Sequence, residues 1–134
     1  MITTSTALTL HLAALIGAYM VAAGIGGVIA PKLWLSMFDD FRAHPGLTYL
    51  AAVLTFTIGA ILVSLHHHWS DPLASLVSLF GWAALIEGLI ALAAPQLLLR
   101  MADVMLKFVR VFAAITALFG ALLLFAGLTG SISN

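Results

Sequence analysis

Cysteine is absent from the chain, which excludes a disulfide framework, thiol chemistry and thiolate metal sites. Charge is scarce. Five Lys/Arg and five Asp/Glu make up 7% of 134 residues, where soluble domains carry about 25%. So little charge does not cover a surface facing water. The even balance of signs also offers nothing to attract nucleic acid. The opening stretch, residues 1–12, has no Lys or Arg, whereas a secretory signal begins with a positive region and ends in a cleavage site. The first hydrophobic run therefore reads as a retained helix.

What the chain has is hydrocarbon: 63% of residues are hydrophobic and the mean hydropathy is +1.19. Lipid is the matching solvent, and helices that satisfy their own backbone are the structures that cross it. A span takes about 20 apolar residues. Four such runs are present, over about 7–30, 47–65, 73–94 and 108–128, ended in turn by Pro31, by His66-His67-His68, by Pro95 and by the polar tail 129–134. The expected fold is an all-α membrane protein, one integral domain over 1–134 with the lipid bilayer as its first partner.

Every Lys and Arg (Lys32, Arg42, Arg100, Lys107, Arg110) falls in the connection between runs one and two or in that between runs three and four, Arg110 at the very start of run four. By the positive-inside rule those connections are cytoplasmic. Both termini and the histidine loop are then expected on the periplasmic face of a bacterial inner membrane.

The two halves align. Gly17, Gly24, Pro31, Met37 and Asp39 match Gly81, Gly88, Pro95, Met101 and Asp103; further on, Ala52, Thr55, Gly59 and Ala60 match Ala113, Thr116, Gly120 and Ala121. The second copy lacks a few residues near His44-Pro45-Gly46. The reading is two tandem helix hairpins, about 7–65 and 73–128. Each holds two spans, so both copies share one orientation and any pseudo-twofold axis runs along the membrane normal. After each proline, Leu33, Trp34, Met37, Phe38 and Phe41, or Leu97, Leu98, Met101, Val104 and Met105, fall on one side at helical period. Short amphipathic helices in the interface are expected there, with Trp34, and Trp69 at the other face, as aromatic anchors.

Small residues let helices approach closely in lipid. Gly17 and Gly24 in the first span and Gly81 and Gly88 in the third predict that these two spans cross at the pseudo-axis. The second and fourth, richer in Leu, Ile and Phe, are expected to face outward, to lipid or to a neighbour.

Glu87 is the one acid inside a run. A charge at that depth costs a few kcal/mol on insertion scales, and its place beside the small-residue stripe predicts that it points into the bundle. It is either a proton or cation site, or a protonated acid hydrogen-bonded to Thr55, to Thr57 or to a backbone carbonyl. Of His66, His67, His68 and Asp71, the three consecutive histidines fan out by about 100° each on a helix, so they do not all hold one ion. They are weak metal candidates, and a polar cap is the simpler reading. Trp82 lies inside a span and reads as packing. No nucleophile–base pair, converging carboxylates or phosphate loop is present, so neither an enzyme nor a cofactor carrier is expected.

Pro-Gly-Leu-Thr-Tyr-Leu opening the second span, a His/Trp turn after it, and Gly-Trp followed by Glu-Gly in the third carry a resemblance. On these residues the chain resembles the uncharacterised small four-helix inner-membrane proteins of proteobacteria. The resemblance implies a bacterial inner-membrane location and no catalytic residues. The function expected is a non-enzymatic accessory or structural subunit, partnered by other membrane subunits or by itself. The alternative is a small oligomeric proton- or cation-linked transporter or channel using Glu87.

Overall fold

The computed structural model describes residues 3–4, 7–66, 69 and 71–132. Six helices follow in order: α1 Ala7–Ile29, α2 Pro31–Ala43, α3 Pro45–Leu65, α4 Pro72–Ala93, α5 Pro95–Leu106 and α6 Val109–Thr129. Two two-residue strands, β1 Thr3–Thr4 and β2 Ser131–Ile132, pair in parallel and hold the two ends of the described chain side by side.

Four helices, α1, α3, α4 and α6, are long and apolar enough to cross a membrane, with 23, 21, 22 and 21 residues. At about 1.5 Å per residue each covers the roughly 30 Å hydrocarbon core. With 13 and 12 residues, α2 and α5 are too short to span. All four prolines of the chain stand at the first position of a helix, opening α2, α3, α4 and α5. There the missing N–H is not needed and the fixed φ suits the helix. Asp71 adds a side-chain cap to α4, accepting a hydrogen bond from the Ala74 N–H at 2.9 Å.

The spans form two tight pairs, α1 with α6 and α3 with α4. Glycine explains both. A β-carbon on Gly24 would lie 2.5 Å from the Ala117 nitrogen, and one on Gly120 would lie 2.6 Å from the Met20 β-carbon. Gly17 abuts the Leu124 backbone and Gly127 that of Ala14. In the other pair Gly88 faces the Phe56 backbone, Gly59 that of Leu85, and Gly81 the Leu62 side chain.

This corrects the expected packing. The glycine stripes of the first and third spans do not face each other; they face α6 and α3. The fourth span is rich in Leu and Phe, but it also carries a small-residue stripe of its own, Ala113, Ala117, Gly120 and Gly127, which lets the α1 backbone approach closely. α1 and α4 do meet, through larger residues near one end. Ala13 and Ile16 of α1, Leu73 and Val77 of α4, and Leu123 and Ala126 of α6 form the buried core cluster there. Elsewhere the spans expose large apolar side chains, among them Leu15, Leu79, Leu118 and Leu128, a surface suited to lipid.

Candidate functional site: a buried imidazole joining three spans

The buried polar side chains of the described protein lie together at the histidine end. His66 caps the C-terminus of α3, its N–H donating to the Leu62 carbonyl at 2.8 Å. Its imidazole turns inward. Nε2 lies 2.7 Å from the Thr9 hydroxyl of α1, and Nδ1 lies 2.8 Å from the Ser78 hydroxyl of α4. The three residues are 1%, 0% and 1% exposed. Helical spacing makes the local reason plain. Thr9 is one turn before Ala13, and Ser78 follows Val77, so both hydroxyls sit on the faces that bury the apolar cluster.

A hydroxyl donates or accepts by rotating, while neutral imidazole carries one donor and one acceptor. Each ring nitrogen has a hydroxyl at hydrogen-bond distance, whichever of them carries the proton. The arrangement ties α1, the end of α3 and α4 together.

The other candidates that the sequence offers stand apart from this site. His67 and His68 lie outside the described residues. His11 is exposed on α1, two residues from Thr9 and so on a different face. Among the described residues no group of three His, Cys, Asp or Glu converges to hold a metal ion. Thr9 gives no signal in the sequence, because a lone Thr in the first turn of a span looks like ordinary capping chemistry. Ser78 is legible there only as a small residue.

The direction and the threonine partners expected of Glu87 are corrected. Glu87 is exposed on α4, next to Gly88, which is buried against Phe56. Neither expected threonine reaches it. Thr55 donates to the Ala51 carbonyl at 2.9 Å and Thr57 to the Val53 carbonyl at 2.7 Å, the i−4 bond by which a threonine satisfies itself in a helix. The offset of about 100° per residue decides this: Gly88 and Ala84 take the α3 side, and Glu87 is left on the outer surface.

No family model, curated protein or solved structure matches the chain.

At the basic end, the Arg42 guanidinium of α2 pairs with Asp39 at 2.9 Å and with Asp103 of α5. Both carboxylates are more than half exposed. Trp34 is half-buried and lies over Gly27 of α1, while Trp69 and Trp82 are exposed.

Proposed function

We propose that this protein is a non-enzymatic subunit of a larger assembly in a bacterial inner membrane, docked through the outer face of α4. The observation that carries the reading is Glu87. A carboxyl at the outer side of a span costs a few kcal/mol unless something pairs with it, and among the described residues no hydrogen bond or ion pair within this chain engages Glu87. A neighbouring span that offers a cation or an amide at that depth removes the cost. Ala83, one turn before it on the same face, is exposed, and the neighbouring Ile86 is exposed too. The positive-inside rule puts α2 and α5, with all five Lys and Arg, on the cytoplasmic side. The termini and His66 then lie toward the periplasm, and α2 and α5 rest in the cytoplasmic interface.

The packing register supports a duplicated hairpin beneath this. Gly17 against Leu124 is matched by Gly81 against Val63. Gly24 against Ala117 is matched by Gly88 against Phe56, and Gly120 against Val21 by Gly59 against Leu85. The sequence offsets that relate the two halves carry each contact onto its counterpart. On this reading each hairpin gives one span to each tight pair, so the two copies clasp rather than stand side by side.

The test is to solubilise the protein from its native membrane in mild detergent and identify what co-purifies, for the parent and for Glu87→Leu. A stoichiometric hetero-complex that Glu87→Leu weakens is the expected result. A lone monomer overturns the reading. A homo-oligomer also overturns it, in favour of a small proton- or cation-linked transporter in which Glu87 lines a path between copies; proton flux into proteoliposomes, lost in Glu87→Gln, is then the measurement to make.

A further inference from the structure

The charges of the chain cancel overall, but they do not cancel where they lie. Asp71 caps α4 at the histidine end and Glu87 stands inside α4. The other charged side chains lie on α2, on α5 or beside the start of α6. α2 is balanced, with Lys32 and Arg42 against Asp39 and Asp40. From α5 into α6 the chain sets Arg100, Lys107 and Arg110 against Asp103 alone. That one acid is taken by Arg42, reaching across from α2. Arg100, Lys107 and Arg110 are exposed, and among the described residues no ion pair or side-chain hydrogen bond engages them.

Helical geometry orders the three cations. Lys107 follows the last residue of α5 and keeps helical dihedrals, φ −61° and ψ −27°. Arg100 and Lys107, seven residues apart, therefore share one side of α5, about 10 Å from each other along its axis. Arg110 stands three residues further on, in the first turn of α6. The same helix and its joint to α6 expose Leu97, Met101, Val104, Met105 and Phe108. Connectivity fixes the depth of this surface. Ala94 alone separates α4 from α5, and Lys107 and Phe108 alone separate α5 from α6. With α4 and α6 crossing the bilayer, a helix tied so shortly at both ends lies where hydrocarbon meets headgroups.

We propose that the exposed side of α5, with the first turn of α6, binds anionic phospholipid headgroups, phosphodiesters of net negative charge. The cations take the phosphates and the exposed apolar side chains take the adjoining hydrocarbon. α2 lies at the same depth for the same reason, joined through Ala30 and His44, yet its own charges cancel and give it no such preference. Arg42 serves the surface from outside it: by pairing with Asp103 it offsets the one negative charge between Arg100 and Lys107. Each cation beside an anionic membrane surface is worth about fivefold in binding.

The chain has no cysteine, so single introduced thiols report locally. Val104→Cys on α5 and Met37→Cys on α2, both exposed positions, are labelled with bimane in the full chain. The protein is held in phosphatidylcholine nanodiscs containing a trace of acyl-brominated phosphatidylglycerol or, in parallel, acyl-brominated phosphatidylcholine. At position 104 the anionic lipid is expected to quench at about one fifth of the concentration its neutral counterpart needs; at position 37 the two should quench alike. The preference should shrink between about 0.1 M and about 1 M salt, as the screening length falls from about 10 Å to about 3 Å. Arg100→Gln with Lys107→Gln should abolish it, and Lys32→Gln should leave it. Asp103→Asn should strengthen it, a gain that misfolding does not imitate. Equal quenching by the two lipids at position 104 overturns the proposal and leaves α5 at the membrane surface; no quenching by either removes that placement too. A preference that survives the double substitution, or that Lys32→Gln lowers as much, overturns it in favour of overall charge. If no lipid preference is found but the double substitution releases a protein that co-purifies with the parent, the surface docks an acidic partner and the proposal fails.

Discussion

The two ends of the helix bundle are held by different physics. At the histidine end α1, α4 and α6 share an apolar cluster, and the His66 imidazole adds the end of α3 through two buried hydroxyls. At the basic end, α2 has no buried residue and α5 has only Ala102. The ion pair between them is that of Arg42 with the exposed Asp103 carboxylate, beside a groove of about 460 Å³. Few buried contacts mean low local stability. One end holds the spans through a dry core, and the other is tied more loosely.

The glycine crossings run the length of both pairs, so breaking one should erase the contrast altogether. Gly88→Leu places a side chain where even a β-carbon would be 2.5 Å from the Phe56 Cα and nitrogen. Backbone does not yield as a side-chain tip does, and a loss of about 3 kcal/mol is expected, measured by reversible unfolding in bicelles. Gly26→Leu is the control. Nothing lies within 4 Å of a β-carbon there, and the change should stay within about 0.5 kcal/mol. If both variants unfold alike, the spans are not held by close approach of backbones.

His66→Ala comes next and acts on one end only. It deletes a buried ring and removes the partner that Thr9 and Ser78 share, so a cost of about 2–3 kcal/mol is expected. Thr9→Val should cost less, about 1 kcal/mol, because the ring keeps its bond to Ser78 and single interhelical hydrogen bonds in membranes are worth little. Hydrogen exchange should show the loss at the Thr9 and Ser78 turns and leave α2 and α5 as they were. A uniform change along the bundle would mean that the two ends are mechanically one.

The four spans are legible in the sequence because they are written in local composition, a run of apolar residues. Pro31 and Pro95 are legible as the places where one helix stops, whereas the second and third runs begin at about Leu47 and Leu73, just past the Pro45 and Pro72 that head α3 and α4. Partner choice is not legible in that way. Gly17 and Gly24 announce a close crossing, yet which helix they cross depends on a second stripe in α6 that is diluted by Leu118, Phe119 and Leu122 on its other face. The side of the helix that Glu87 takes is hidden for a related reason. Its neighbour Gly88 does lie at the crossing, but one residue is about 100° of rotation, enough to carry a side chain from the buried side to the outer surface. In sequence His66 belongs with the histidines that follow it, as a cap at a membrane face. Its burial rests on Thr9 and Ser78, 57 and 12 residues away.

The smallest effect sharpens the comparison most. Arg42→Ala removes the one ion pair among the described residues that joins α2 to α5, with Asp103, and the pair with Asp39 inside α2. With both carboxylates open to the surroundings, water and salt screen the attraction, and such pairs are worth about 0–1 kcal/mol. A change below about 1 kcal/mol is therefore expected in the bicelle assay, smaller still at high salt. The histidine end, where the polar partners are dry, should show no salt dependence. A loss from Arg42→Ala as large as that from His66→Ala would mean the guanidinium is covered when the protein sits in its membrane. The basic end would then be an occupied surface rather than an open one, and the same variant repeated in the native membrane, with its neighbours present, would show whether a protein or a lipid does the covering.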